Sequence, residues 1–147
     1  MKLVVAVLSV VVLTSSFAEA QQVPKDQCTL LTAADLEPVV GKGAKPTTIG
    51  EEECRWEAPL GGYEVHFKRE DGAAALKEFT QLMMVKPVAP LTDIGDEAFI
   101  AKNQSSVAFR KGKVAVLVSP AGVMKTAPMT AQQGVVEVAK RLAAKLK

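Results

Sequence analysis

The chain has 147 residues, 18 basic against 16 acidic side chains, and a single histidine. Its near-neutral charge and 5% aromatic content argue against a nucleic-acid binder. A hydrolytic triad or an imidazole-based metal centre would have to be built around His66.

Met1–Lys2 is a short basic start, residues 3–13 are apolar except Ser9, and Thr14–Ser15–Ser16 is polar. Ala18–Glu19–Ala20 has the small-x-small form after which signal peptidase cuts. Residues 1–20 therefore read as a secretory signal peptide, too short an apolar run to span a bilayer. We expect a mature chain over 21–147 that forms one α+β domain, periplasmic or extracellular. No later apolar stretch approaches spanning length. A lipid anchor is not expected, because Cys28 follows Pro24–Lys25–Asp26–Gln27 and not small apolar residues.

Two cysteines remain, Cys28 and Cys54. In an oxidising compartment they most simply form one structural disulfide, stabilising the fold by roughly 3–4 kcal/mol in the chain-entropy model. The rival readings are a redox pair, which usually has C-x-x-C spacing, and metal ligands, which would want more His or Cys nearby.

The first predicted helix starts at Thr32, with Asp35 as its capping-box partner and Leu31 and Leu36 at staple positions. Gly41 ends it, and Pro38 should keep it short or kinked. Strands follow over 53–58 and 63–69, around Pro59–Leu60–Gly61–Gly62. Pairing Ala58 with Tyr63 puts Trp56, Cys54, Val65 and Phe67 on one side and Arg55, Glu53, His66 and Lys68 on the other. That register leaves Glu57 opposite Glu64, a like-charge pair.

Asp71 can cap a second helix over 72–85 with a stripe of Ala75, Leu76, Phe79, Leu82 and Met83. A loop is expected from Lys86 to Pro90, since Pro87 and Pro90 lack donors. Strands are expected near 97–102, 106–110 and 113–118, with a tight turn at Gly112. Val114, Val116 and Val118 alternate with Ala115 and Leu117, so both faces of that strand are apolar and it should lie centrally. After a loop over 119–129, Thr130 and Gln133 form a capping box for a last helix. Its stripe is Val135, Val138, Ala139, Leu142 and Leu146, and Glu137 and Arg141 are spaced as an i,i+4 pair.

Short echoes suggest a helix-strands-helix-strands-helix pseudo-repeat. Ile49–Gly50–Glu51–Glu52 matches Ile94–Gly95–Asp96–Glu97, and Val65–His66–Phe67–Lys68–Arg69 matches Val107–Ala108–Phe109–Arg110–Lys111. The expected architecture is a mostly antiparallel sheet packed with about three helices.

Three anchors carry a resemblance: Cys28–Thr29–Leu30–Leu31–Thr32, Cys54–Arg55–Trp56 and Ile94–Gly95–Asp96–Glu97–Ala98–Phe99. In this order the chain resembles a loose group of small exported bacterial proteins and lipoproteins of undetermined function. Their pattern runs Cys-x-Leu-Leu-Thr, Cys-x-Trp or Cys-x-Tyr, then Gly-x-Gly-Asp-Glu-Ala. The resemblance implies a Cys28–Cys54 bridge and an α/β sandwich similar to photosystem extrinsic proteins. This chain lacks the lipoprotein cysteine and the first glycine of the last motif. The group supplies no catalytic residues to transfer.

Chemistry-bearing candidates are few. Trp56, Tyr63 and His66 are the candidate ligand-contacting residues, and no catalytic set, metal site or cofactor is expected. No G-x-S-x-G elbow is present. Glu51–Glu52–Glu53 with Asp96–Glu97 would bind calcium only if the two blocks met, and adjacent glutamates suit a solvated turn better. Gly41–Lys42–Gly43 lacks the phosphate-loop spacing. Met83, Met84, Met124 and Met129 suit packing better than copper(I).

From Ala98 onward Glu137 is the only acid against nine bases. Attraction between two halves of one domain explains this asymmetry, and so would an anionic lipid or polymer partner. The expected function is a non-enzymatic envelope module binding a protein partner or small ligand through the loops at 86–92 and 119–129. The alternatives are a small hydrolase using His66 and a protein that associates with anionic surfaces.

Overall fold

The computed structural model describes residues 23–82, 88–101, 106–123 and 125–147. The predicted leader and the residues at 83–87 and 102–105 lie outside them. So does Met124.

A 3-10 turn at Gln27–Leu30 is capped by Asp26, whose carboxylate accepts from the Cys28 N–H. Helix α1 follows over Ala33–Val40. Its capping box forms: the Thr32 N–H donates to Asp35 at 2.8 Å, and the Asp35 N–H donates to the Thr32 hydroxyl at 3.3 Å. Pro38 sits inside this short helix, and Gly41 closes it with a left-handed φ of 83°.

Strands β1 (Lys45–Gly50), β2 (Glu53–Ala58) and β3 (Gly61–Lys68) form one antiparallel meander. Helix α2 (Gly72–Leu82) leads to a second meander of β4 (Val88–Leu91), β5 (Glu97–Ala101), β6 (Val107–Lys111) and β7 (Val114–Ala121). Helix α3 (Ala131–Lys145) ends the fold, with the Thr130–Gln133 capping box in place. The strand order is β1-β2-β3-β7-β6-β5-β4, antiparallel throughout. This is the α+β arrangement of helices and antiparallel strands expected above.

β7 is the central strand, as its two apolar faces require. Val114, Val116 and Val118 join the main core with Trp56, Tyr63, Val65, Phe67 and Phe109, covered by α1 and α3. Ala115 faces the other way, with Ala101 and Ala108, beneath Ala75, Leu76 and Phe79 of α2. The echoed segments flank β7 in matched register: Val65 and Val107 both pair with Val118, and Phe67 and Phe109 both pair with Val116.

Cys28 and Cys54 form a disulfide, with Cα atoms 5.5 Å apart, and both are buried. The bridge ties the N-terminal turn to β2. Beside it, buried Gln27 donates to the Gly50 carbonyl at 3.3 Å and accepts from Arg69 at 2.7 Å.

Four expectations are corrected. The β2–β3 loop has two residues, not four, because Gly61 and Gly62 serve as strand residues opposite Ala58 and Glu57. The register therefore moves by two, which keeps the predicted faces but changes every partner. Glu57 lies opposite Gly62, so the expected like-charge pair is absent. α2 is described as far as Leu82, which is exposed, and residues 83–85 of its expected span lie outside the described residues. Residues 88–91 form an edge strand where a loop was expected, and residues 119–121 extend β7.

Candidate functional site

The sheet's second face divides into two halves. α2 rests on β6 and β7, over a floor made by Ala108, Ala115 and, from β5, Ala101. Toward β2 and β3 the same face carries charged side chains. The observed register sets Glu53 opposite His66 and Arg55 opposite Glu64. Lys68 at the end of β3 reaches Glu78 of α2 at 2.9 Å, marking the seam between the halves.

Within the charged half, Arg55 grips Glu64 Oε2 with Nη2 and, at 3.2 Å, with Nε. Arg55 also lies 3.6 Å from Glu57. The other Glu64 oxygen, Oε1, lies 3.0 Å from His66 Nε2, and Glu53 Oε2 lies 3.7 Å from His66 Nδ1. His66 is thus flanked by a carboxylate at each ring nitrogen. The Arg55 hydrogen bonds hold the Glu64 carboxyl below its ordinary pKa; partial burial opposes them and the His66 contact adds to them. Glu64 in turn pushes the Arg55 guanidinium up. Arg55, Glu53, Glu64 and His66 each keep part of their surface in solvent.

Trp56 and Tyr63 lie opposite each other across β2–β3 on the first face, sealed in the main core. They are not brought together with His66, which points the other way. Burial raises the Tyr63 hydroxyl to about 12. Neither Tyr63 Oη nor Trp56 Nε1 meets a hydrogen-bond partner among the described residues. Gly134 of α3 lies directly over Tyr63, and a Cβ there would collide with Oη.

The acidic blocks do not meet. Glu51 and Glu52 turn between β1 and β2, whereas Asp96 and Glu97 lie by β5, toward the opposite edge of the sheet. Asp96 accepts from the Gly112 N–H at 2.7 Å and from Arg110 at 3.3 Å, bracing the β6–β7 turn. Met129 packs on the main core, while Met83, Met84 and Met124 lie outside the described residues. Several bases of the C-terminal half meet acids: Lys145 reaches Asp35 at 2.6 Å, Arg141 reaches Glu137 at 2.7 Å, and Arg110 reaches Asp96 at 3.3 Å.

His66 is the one ligand-contacting candidate from the sequence that stands on the accessible face. The sequence places Arg55, Glu53 and Glu64 on the His66 face, but it pairs Arg55 with His66, whereas the observed register pairs Arg55 with Glu64 and Glu53 with His66. Among the described residues no helix is long and apolar enough to cross a membrane. No protein-family model matches the chain, and no curated protein or solved structure does either.

Proposed function

We propose that this protein is an exported, non-enzymatic binding module whose contact surface is the charged half of the second sheet face, around Arg55, Glu64 and His66. The observation that carries the reading is the partial cover of that face. α2 overlies β6 and β7, while interlinked charges on β2 and β3 stay within reach of solvent. Strands hold such a surface more rigidly than loops, which lowers the entropy lost on binding. A carboxylate at each His66 nitrogen favours recognition over proton abstraction, since neither nitrogen is left turned toward a nucleophile. The leader-like residues 1–20 and the Cys28–Cys54 disulfide support export. The partner is an envelope protein or small ligand presenting both charge signs to this face.

The test compares two charge reversals on the oxidised chain, immobilised against an envelope extract. Arg55→Glu should abolish capture, and Lys77→Glu, on the exposed side of α2, should leave it intact. Equal capture by both variants would overturn the reading. A hydrolase panel with His66→Ala addresses the enzymatic alternative: activity lost only in the variant would favour it.

A further inference from the structure

We propose that Glu53, Glu64 and His66 form a surface site for a divalent first-row transition cation, with Zn²⁺ as its representative. The inference deepens the reading of the charged face, but it stands on this chain alone. One carboxylate oxygen from each glutamate and one ring nitrogen of His66 lie within 4.8 Å of one another. Tetrahedral zinc with bonds near 2.0–2.2 Å holds its donors roughly 3.3 Å apart. Glu64 Oε1 already faces His66 Nε2, and Glu53, now beside Nδ1, completes the set by swinging toward Nε2.

The backbone makes that closure cheap. Glu53 and His66 are cross-strand partners, and Glu64 lies two residues before His66 on the same face. All three donors therefore hang from one pair of hydrogen-bonded strands. Arg55 occupies Glu64 Oε2 and leaves Oε1 directed at His66. That is the orienting role an outer hydrogen bond plays for a ligating carboxylate. Two carboxylates with one guanidinium leave a net negative charge to meet the cation. The imidazole selects a transition metal over Ca²⁺ or Mg²⁺, which prefer all-oxygen shells. Three protein donors leave a fourth position for water or for a donor group on a partner.

The experiment is a calorimetric titration of the oxidised full-length mature chain with ZnCl₂, followed in parallel by NMR of the single imidazole. One ion per chain should bind, and the His66 ring signals should shift in step with the heat. His66→Ala and Glu53→Gln should each weaken binding by at least about tenfold while the melting curve stays in place. Absence of saturable binding overturns the site. So does binding that both variants retain, or Mg²⁺ binding as tight as Zn²⁺. If zinc fails to bind while Arg55→Glu still abolishes partner capture, only this inference falls. If zinc binds but capture ignores Arg55→Glu, only the proposed function falls.

Discussion

On its first face the sheet buries Trp56, Tyr63, Val65, Phe67 and Phe109 beneath α1 and α3. On its second, α2 settles on Ala101, Ala108 and Ala115, and Arg55, Glu64 and His66 lie beside it in partial contact with solvent. The first face gains its stability from large interlocking side chains, which tolerate little change in volume. The second gains it from Ala75, Leu76 and Phe79 of α2 packing over three alanines, with Phe99 and Leu117 beside them. Its charged half contributes little to holding the fold together, because partly exposed ion pairs are weak. Stability thus comes from the first face and from the α2 half of the second, and the proposed recognition surface is the remaining charged half.

Substitutions can break or sharpen that division, and the largest effect is expected on the first face. Replacing Cys28 and Cys54 together by Ala should lower unfolding stability by roughly 3–4 kcal/mol, seen as a fall in the urea midpoint. Next comes Gly134→Ala, a change that ordinarily strengthens a helix. Here the new methyl meets Tyr63 Oη, so a loss of about 1–3 kcal/mol is expected. Tyr63→Phe in the same chain should recover part of it, and a double-mutant thermal-melt cycle measures the coupling. On the second face, Ala108→Leu should cost about 1–3 kcal/mol by lifting α2 from its floor, with faster amide exchange confined to that helix.

Smaller still is an acid effect at Asp35. Burial alone would raise its carboxyl, but hydrogen bonds from Lys145 and Thr32 outweigh it and bring the pKa from 3.8 to about 2. Folded Asp35 therefore binds its proton less readily than unfolded Asp35 does. Its contribution is complete above the unfolded value and disappears as pH falls toward 2, amounting to about 1 kcal/mol once solvent screening is discounted. Urea midpoints of the native chain and of Lys145→Met should diverge near neutrality and converge in acid. Last, Arg55→Ala should shift stability by less than about 1 kcal/mol while removing partner capture, which separates the two roles most sharply.

Features set by near neighbours were legible in the amino-acid sequence. Both capping boxes, the α3 stripe and the two-faced β7 depend on residues a few positions apart, and all are present. β1 was not legible: each of its six residues is exposed, so no alternation marks it. The β2–β3 register was misread because Gly61–Gly62 looks like turn material and acts as strand. That error sorted the faces correctly, since a shift of two preserves parity, yet it hid the Arg55–Glu64 and Glu53–His66 pairings. The burial of Gln27 had no local signal, because its partners Gly50 and Arg69 come from distant parts of the chain.

The position of β7 bears on the order of events during synthesis. The strand that joins both wings of the sheet is also the last one made, so β3 waits more than forty residues for its neighbour. A ribosome that has not yet passed Ala121 carries two separate meanders with no shared middle. Lateness of that strand leaves the two wings of the sheet unjoined until most of the polypeptide has been made.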